Sequence, residues 1–382
     1  MEMKWSLNLG RIAGIKVSVH WTFLILLIWI FILHYRMEQD MMQGILGVVF
    51  ILALFLCVTL HEFGHALTAK RYDINTKSIT LLPIGGLARL EKFPEKPMQE
   101  LLVAIAGPMV NLVIGVFILL ALLAFNSLPS FSEPLNLMNF SGVGFWYNLL
   151  FANMILAIFN LIPAFPMDGG RILRALLLFK FERGKATKIA AGIGQFLAIG
   201  FVFLGFYGNI FLVFIGIFIY LGASAEAEME MTKTSLTGYK VKDILMKQFA
   251  RLSPNDDLGK AVRLLLDGQA HDFVIVEDGK VLGILSRNDL IKGLSEKGNS
   301  SPVTDAMQTE FLSLDPDMPL QEIYQKILVQ KISVAPVMQN GKLIGIIDKE
   351  NIYEFIMVKE AVGKQLDMDE LKSKYEIPEK IS

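Results

Sequence analysis

Apolar residues dominate the chain up to residue 224, whereas residues 240–382 mix apolar, polar and charged positions. A helix needs about 20 mostly apolar residues to span a bilayer. Six segments come close to this length, namely 17–35, 43–65, 101–125, 144–163, 187–207 and 209–224. LRALLLFKFE, residues 173–182, is too short to span and is expected to lie at the membrane surface. The pattern therefore predicts a multi-span α-helical membrane bundle over residues 1–224.

A different pattern precedes the first span. In KWSLNLGRIAGIKVSVH, residues 4–20, apolar and polar residues alternate around a turn that contains glycine. This alternation predicts a short strand pair ahead of the first membrane helix. The N-terminus has no short basic region followed by a small-residue cleavage site, so it is not typical of a cleaved signal. An apolar content of 53% and a mean hydropathy of +0.49 agree with a protein that lies largely in lipid.

Charges in the connections predict the orientation of the spans, because Lys and Arg remain on the cytoplasmic side during insertion. The basic connections carry Lys4, Arg11 and Lys16 before the first span, Lys70, Arg71, Lys77, Arg89, Lys92 and Lys96 after the second, and Arg171, Arg174, Lys180, Arg183, Lys185 and Lys188 after the fourth. The connections after the third and fifth spans have no Lys or Arg. This alternation predicts a multi-pass protein of the cell membrane with cytoplasmic N- and C-termini.

The C-terminal part contains an internal repeat. VKDILM at residue 241 aligns with VTDAMQ at 303, and DGKVLGILSRNDL at 278 aligns with NGKLIGIIDKENI at 340, each at an offset of 62 residues. Each copy has a helical stretch, an apolar strand, a Gly-Lys turn, a second strand and another helix. We expect a linker over 225–240, α/β modules over 241–295 and 303–358, and a charged tail over 359–382.

The second apolar segment ends in HEFGH, residues 61–65. His61 and His65 lie on one face of a helix and can direct their ring nitrogens at one ion. Two histidines supply half of a tetrahedral zinc shell, and hydrolysis requires a third protein ligand and a water. Glu62 is placed to act as the general base for that water. Because lipid penalises ionisable groups, we favour a metal site over a chance pairing of helix-end histidines.

A third ligand must come from the same side of the membrane. His20 lies at the cytoplasmic end of the first span, and Asp168 follows the fourth. Asp168 is the better candidate, because in NLIPAFPMDGGR two prolines break the helix and two glycines free the backbone to aim a carboxylate. The alternative for Asp168 is an N-cap of the helix that starts near Arg171. Cys57, one turn before His61, is more typical of helix packing than of metal binding.

HEFGH in a membrane span, with NLIPAFPMDGG about a hundred residues later, resembles the site-2 protease family of intramembrane zinc metalloproteases. The repeat resembles a pair of cystathionine-β-synthase (CBS) modules, so the chain is similar to the family branch that carries such a pair. The resemblance implies one catalytic Zn²⁺ bound by His61, His65 and Asp168, with Glu62 activating the water. It also implies cleavage within or near the transmembrane segments of membrane-anchored regulatory proteins, with a single-span protein as substrate.

Other segments match further motifs of that family. PIGGLARL resembles a Gly-rich extended segment whose strand edge holds an unwound substrate, which implies substrate binding at Gly85 and Gly86. AGPMVNL resembles a third-span motif and implies that Asn111 contacts the substrate or the tetrahedral intermediate. A Gly-Pro kink with a buried Asn between helices is an equally favoured alternative. Asn160 belongs to NLIPAFPMDGG and is a further substrate-binding candidate, although its residue type is more typical of helix–helix hydrogen bonds.

The resemblance to CBS modules implies adenosine nucleotide binding between the copies. In such modules a Ser or Thr and, three residues later, an Asp contact phosphate and ribose. Ser286 and Asp289 have this spacing in the first copy, whereas the second copy has Asp348 and Asn351. A carboxylate beside a phosphate is unfavourable, which argues against a second site. We expect ATP or AMP to bind and regulate the membrane site, and the alternative is a structural module through which the chain forms a homodimer.

Two functions of other classes compete with proteolysis. One is a CBS-gated membrane transporter, and the other is a catalytically silent membrane scaffold that binds zinc. Transport needs a polar path through the bilayer, but the ionisable residues cluster on one side around HEFGH, which favours hydrolysis. The net charge of −1 gives no reason to expect nucleic acid as a partner. A single cysteine, Cys57, excludes an intrachain disulfide.

Overall fold

The computed structural model describes residues 6–83, 85–90, 94, 96–127, 140, 142–268 and 270–362. The chain divides into two compact units, one within residues 2–230 and one within residues 231–382. We call the first the membrane unit and the second the C-terminal unit. Most of the predicted charged tail, residues 363–382, lies outside the described residues.

The membrane unit is built mainly from helices. Its strands are β1 (Ser6–Ile12), β2 (Ile15–His20), β3 (Thr76–Leu82) and β4 (Gly85–Leu90). Its helices are α1 (Thr22–Glu38), α2 (Met41–Lys70), α3 (Pro97–Ala124), α4 (Val143–Leu161), α5 (Asp168–Leu177), α6 (Arg183–Tyr207) and α7 (Ile210–Leu236), the last of which ends in the C-terminal unit. Among the described residues, α2, α3, α4, α6 and α7 are long and apolar enough to cross a membrane.

The first predicted span differs from the others. The prediction placed it at 17–35, but Val17 to His20 belong to β2 and the helix begins only at Thr22. The alternating sequence of these four residues suits a strand, which pairs with β1 on one side and β3 on the other. The 17 residues of α1 extend about 26 Å, slightly less than a hydrocarbon core of about 30 Å. Six spans is therefore an approximate count.

The four strands form one sheet in the order β1-β2-β3-β4. The predicted N-terminal strand pair is confirmed as the antiparallel β1–β2 hairpin, and β2 pairs in parallel with β3. Val17, Ile79 and Leu81 of the sheet pack with Phe63 of α2. The sheet therefore lies against the part of α2 that carries HEFGH, with β4 at its edge.

Small residues allow the membrane helices to approach closely. A Cβ on Gly64 of α2 would lie 2.7 Å from the carbonyl oxygen of Ala106 on α3, and one on Gly216 of α7 would lie 2.7 Å from that of Ala198 on α6. Many further contacts use buried alanines, namely Ala66, Ala69, Ala104, Ala157, Ala164, Ala175, Ala186, Ala190, Ala191 and Ala223. Since lipid tails are as apolar as side chains, close backbone approach stabilises such bundles.

The C-terminal unit repeats one helix–strand–strand–helix arrangement. Its first copy contains β5 (Arg251–Leu252), α8 (Leu258–Leu266), β6 (Phe273–Glu277), β7 (Lys280–Leu285) and α9 (Arg287–Lys297). Its second copy contains α10 (Leu320–Gln330), β8 (Val334–Gln339), β9 (Lys342–Asp348) and α11 (Lys349–Val362). Leu236, at the end of α7, is fully buried in the core of the second copy. The predicted fold class, a helical membrane bundle followed by a pair of α/β modules, is confirmed.

Candidate metal centre

Three side chains that could hold a metal ion meet at one point of the membrane unit. His61 and His65 lie one turn apart on α2, and Asp168 is the first residue of α5. Asp168 Oδ2 lies 3.2 Å from Nε2 of each histidine, and the two Nε2 atoms are 3.1 Å apart. None of the three side chains is more than 14% exposed. The structure thus brings together residues that are about a hundred positions apart in sequence.

The spacing of these atoms fits a zinc ion. Zinc lies about 2.0–2.1 Å from N and O ligands, so neighbouring ligand atoms of a tetrahedral shell are roughly 3.3–3.4 Å apart. The separations of 3.1–3.2 Å are close to that value. Within the described residues, this is the group of His, Cys, Asp and Glu side chains that could hold a metal ion. Three protein ligands leave a fourth position for a water, as catalytic zinc sites require.

Helix α3 orients the second histidine. His65 Nδ1 lies 2.7 Å from the carbonyl oxygen of Val103, so it donates a proton there and leaves Nε2 for an ion. Gly107, one turn further along α3, faces both imidazoles. A Cβ at this position would overlap His65 Nε2 and lie 2.7 Å from His61 Nε2. Only glycine lets α3 pass this close to the histidines.

The two glycines after Asp168 act through close packing. Gly169 and Gly170 lie inside α5, so the prediction that they free the backbone is wrong. A Cβ on Gly170 would lie 2.5 Å from the backbone nitrogen of Phe165, and one on Gly169 would overlap the carbonyl oxygen of Ile162. The N-cap interpretation is also wrong, because the N-cap position is held by Met167. The Asp168 carboxylate is directed at the histidines instead.

The proposed base, Glu62, lies beneath the edge strand of the sheet. A Cβ on Gly86 of β4 would lie 2.6 Å from Glu62 Cγ and 3.1 Å from Glu62 Oε1. Gly85, at the start of β4, has a φ of +136°, which L side chains rarely adopt. Gly86 is therefore next to the acidic side chain, and both candidate substrate residues lie on the strand edge with which a peptide could pair.

Comparison with known proteins identifies the family of this chain. Residues 49–201 match peptidase family M50, and residues 241–296 and 303–358 match the CBS domain. The chain is 34% identical over 359 residues to zinc metalloprotease MJ0392 of Methanocaldococcus jannaschii. The aligned region covers 94% of this chain and 98% of that protein. The chain belongs to the site-2 protease family of zinc metalloproteases.

Two further comparisons involve this site-2 protease. It is 30% identical over 340 residues to putative zinc metalloprotease sll0528 of Synechocystis, covering 83% of this chain and 85% of that one. The solved structure of the site-2 protease from Methanocaldococcus jannaschii covers 58% of this chain and 95% of its own, at 39% identity and a TM-score of 0.43. The family, the metalloprotease class and the CBS pair that the sequence predicted are confirmed.

The remaining candidate residues of this site-2 protease differ in burial and in their hydrogen-bond partners. Asn111 of α3 is 1% exposed, and among the described residues its Oδ1 has no hydrogen-bond partner. Asn160 is half-buried near the end of α4. His20, the other candidate third ligand, has its Nδ1 2.8 Å from Thr22 Oγ1. Neither His20 nor the buried Cys57 belongs to the metal-binding group found among the described residues.

The sequence interpretation missed a buried ionic cluster near this centre. Arg174 and Arg183 were counted only as positive charges that set the orientation. In the structure, both donate to the carboxylate of Glu100 on α3, which is 4% exposed. The available signal was an acidic residue at the start of an apolar span, QELLVAIAG, where an unpaired charge is unfavourable.

A cavity of about 1060 Å³ lies between the two CBS copies of this site-2 protease. Ser286 and Asp289 line it together with side chains of the second copy. Ser286 Oγ donates to Asp289 Oδ2 at 2.5 Å and accepts from the Asp289 backbone N–H at 3.2 Å, which caps α9. The ionisable side chains of the lining are His271, Asp272, Arg287, Asp289, Glu310, Lys331 and Glu350. Burial, as the largest influence, raises the pKa of Asp272.

Proposed function

We propose that this site-2 protease hydrolyses peptide bonds within or near transmembrane segments of membrane-anchored regulatory proteins. The observation that carries the proposal is the meeting of His61, His65 and Asp168 beside Glu62, beneath a strand edge. In this proposal His61, His65 and Asp168 hold one Zn²⁺. When bound, Zn²⁺ polarises a carbonyl and lowers the pKa of a water toward about 7.

Glu62 moves the proton in this mechanism. Its carboxylate takes a proton from the attacking water and passes it to the leaving nitrogen of the cleaved peptide. Val103 keeps His65 in the tautomer that presents Nε2, because its carbonyl accepts the Nδ1 proton. Asn111 offers a buried amide one turn beyond Gly107, and this supports a contact with the substrate carbonyl or the tetrahedral intermediate.

The edge strand β4 receives the substrate. A helical substrate hides its carbonyls in internal hydrogen bonds, so it must unwind before attack. Pairing with β4 along Gly85 and Gly86 offsets the lost hydrogen bonds and places the peptide above Glu62. Asn160 is proposed as a further hydrogen-bonding residue for the unwound segment. The basic connections support a location of HEFGH, both termini and this strand on the cytoplasmic side of the cell membrane.

The CBS pair binds an adenine nucleotide and regulates the protease. The cavity between the copies offers Ser286 and Asp289 for phosphate and ribose. Its lining contains four carboxylates, on Asp272, Asp289, Glu310 and Glu350, and two permanent cations, on Arg287 and Lys331. Since this excess of negative charge repels a triphosphate, AMP should bind more tightly than ATP in the absence of Mg²⁺.

The proteolytic role is tested with Glu62→Gln in the intact protein. We expect cleavage of a single-span substrate to fall at least ~100-fold, because a general base contributes about 10²–10⁴-fold, while one zinc per chain remains bound. Glu228→Gln is the matched control, since Glu228 is exposed on α7. Cleavage that persists in Glu62→Gln contradicts the assigned base. Zinc binding without any cleavage by the wild type favours the silent scaffold, and zinc-independent solute flux favours the transporter.

Nucleotide binding is tested by calorimetry on the intact protein in lipid nanodiscs. Asp289→Asn should weaken AMP binding about 10-fold through loss of a charge-assisted hydrogen bond. Asp267→Asn serves as control, because Asp267 is exposed at the end of α8. Wild-type protein that binds no adenine nucleotide contradicts the proposed regulation. A change in oligomeric state without nucleotide binding favours a dimerisation module.

A further inference from the structure

Arg174 links three parts of the membrane unit through one buried guanidinium group. Its Nε donates to Glu100 Oε1 at 2.6 Å, and its Nη1 donates to Glu226 Oε1 at 2.9 Å. Its guanidinium carbon lies 5.2 Å from the ring centroid of Phe165, in the loop that leads to Asp168. With a side chain only 1% exposed, Arg174 joins α3, α7 and this loop.

A second arginine completes the ionic cluster. Arg183, at the start of α6, donates from Nη2 to Glu100 Oε2 and to the carbonyl oxygen of Pro94, each at 2.8 Å. Its Nε lies 3.8 Å from Glu230 Oε1 on α7. Both oxygens of Glu100 are thus used, and charged side chains from four helices converge where none is more than 24% exposed.

One face of α7 also packs on the loop before Asp168. A Cβ on Gly222 would lie 2.6 Å from Pro166 Cδ. Ala223 packs with Phe165, and Ile219 packs with the neighbouring part of the same loop. These positions follow the three- and four-residue spacing of a helix face, which continues to Glu226. Helix α7 therefore holds the loop by van der Waals contact and α5 by an ion pair.

Stability alone gives little reason for this arrangement. Replacing a buried ion pair by apolar residues often leaves the stability of a protein unchanged or increases it. The planar guanidinium of Arg, in contrast, fixes the relative orientation of the carboxylates that it joins. Arg174 follows Asp168 by six residues, about 9 Å along α5, so restraining one end of the short helix restrains the other.

We infer that Arg174 is a positioning residue which, held by Glu100 and Glu226, sets α5 so that the Asp168 carboxylate reaches both imidazoles. The inference rests on the proposed metal role of Asp168. It also makes α7, the helix that enters the CBS pair, part of the support of the metal centre.

The test compares Glu226→Gln with Glu228→Gln in the intact, metal-free protein. Both changes remove one negative charge from α7, but only Glu226 contacts Arg174, and Glu228 is exposed. Co²⁺ is titrated in place of zinc, because its visible absorption bands report the ligand geometry. We expect Glu226→Gln to bind Co²⁺ about 10-fold more weakly with altered bands, as loss of a supporting partner typically causes. Amide hydrogen exchange over residues 163–170 should also be faster, while Glu228→Gln matches the wild type.

Arg174→Lys provides a second variant, because it keeps the buried positive charge and removes the fork that joins two carboxylates. We expect Arg174→Lys to weaken Co²⁺ binding and to alter the absorption bands as Glu226→Gln does. If Glu226→Gln does not fold, Arg174→Lys therefore serves as the deciding test. Folded variants with wild-type Co²⁺ affinity, spectrum and exchange overturn the positioning role. Cleavage of a single-span substrate is assayed in parallel. If the wild type binds Co²⁺ more tightly than the variants but never cleaves the substrate, the proposed function is contradicted, whereas the positioning role of Arg174 is still supported.

Discussion

The two units of the molecule form their cores in different ways. Glycine and alanine form many of the closest helix contacts in the membrane unit, and its buried polar groups include His61, Asn111 and Arg174. The C-terminal unit is filled with large aliphatic side chains, among them Leu252, Leu258, Ile275, Leu285, Leu314, Ile323 and Ile347. Moving such side chains out of water into a core lowers the free energy of the folded state, whereas moving them out of lipid gives little gain because lipid tails are equally apolar.

This difference determines where each unit is vulnerable. In the membrane unit, an added methyl group has no space at several close helix contacts, and at Gly86 and Gly107 it would displace a side chain of the candidate site. In the C-terminal unit, a removed methyl group leaves a cavity and reduces stability. We therefore expect enlarging substitutions to affect chemistry in the first unit and truncating substitutions to affect unfolding in the second.

The largest effect is expected for Gly107→Ala. Its Cβ would overlap the Nε2 atom of His65 and crowd that of His61, so zinc binding and cleavage should both fall at least ~100-fold. Zinc content and cleavage are measured on protein in nanodiscs. Gly192→Ala is the control, because a Cβ there has no heavy atom within 4 Å among the described residues. Equal zinc binding by both variants would show that α3 does not confine the imidazoles.

Leu258→Ala examines the other unit. Leu258 is fully buried in the core of the first CBS copy, so its truncation should lower the free energy of unfolding by about 2–5 kcal/mol. Leu266→Ala on the same helix is the control, because Leu266 is 79% exposed. Denaturant unfolding measures the effect, and zinc content is expected to stay unchanged. A loss of zinc in Leu258→Ala would contradict the separation between the two kinds of core.

Gly86→Ala is expected to have a moderate effect on the reaction alone. Its Cβ would lie 2.6 Å from Glu62 Cγ, and the flexible carboxylate can move aside at the expense of its position. We expect cleavage to fall about 10-fold with zinc content unchanged, which corresponds to roughly 1.4 kcal/mol in the barrier. If zinc is lost as well, the strand supports the metal ligands in addition to the base.

The smallest effect concerns a charge in the C-terminal unit. Burial, as the largest influence, and the nearby Glu350 raise the pKa of Asp348 above its ordinary value of 3.8. The folded unit therefore favours the protonated carboxyl, and ionisation at neutral pH reduces its stability. Asp348→Asn should stabilise the unit at pH 7 by less than about 1 kcal/mol, because Asn still accepts the Asn351 backbone N–H.

This advantage has a defined pH dependence. It should shrink as the pH falls through the raised folded pKa and vanish below the ordinary value, where the carboxyl is protonated in both states. Urea unfolding of wild type and variant at several pH values gives the difference. A difference that stays constant across this range would assign the effect to packing.

Sequence periodicity predicted most of the helices and strands and two of the three side chains that could hold a metal ion. The spacing of His61 and His65 is fixed by the geometry of one helix, and the strand pair and repeat follow from local patterns. Asp168 could be proposed because two prolines precede it and two glycines follow it in the sequence. Its exact approach could not be predicted, since it depends on contacts of Gly169 and Gly170 with the backbone before them.

The ionic contacts of Arg174 could not be predicted from the sequence, for a different reason. Glu100, Arg174 and Glu226 are 52 or more residues apart, so no local period relates them. Each has an ordinary interpretation alone, either as a charge at the end of a span or as a residue of the predicted linker. Ser286 and Asp289, three residues apart in one helix cap, could be found because their relation is local.

The membrane unit ends at Glu230, which is also the last residue of the ionic cluster around Glu100. A chain cut before Glu226 would consequently keep every proposed zinc ligand yet lose a carboxylate that accepts a hydrogen bond from Arg174. A fusion that replaces the CBS pair should therefore join downstream of Glu230, so that every carboxylate of this cluster is retained.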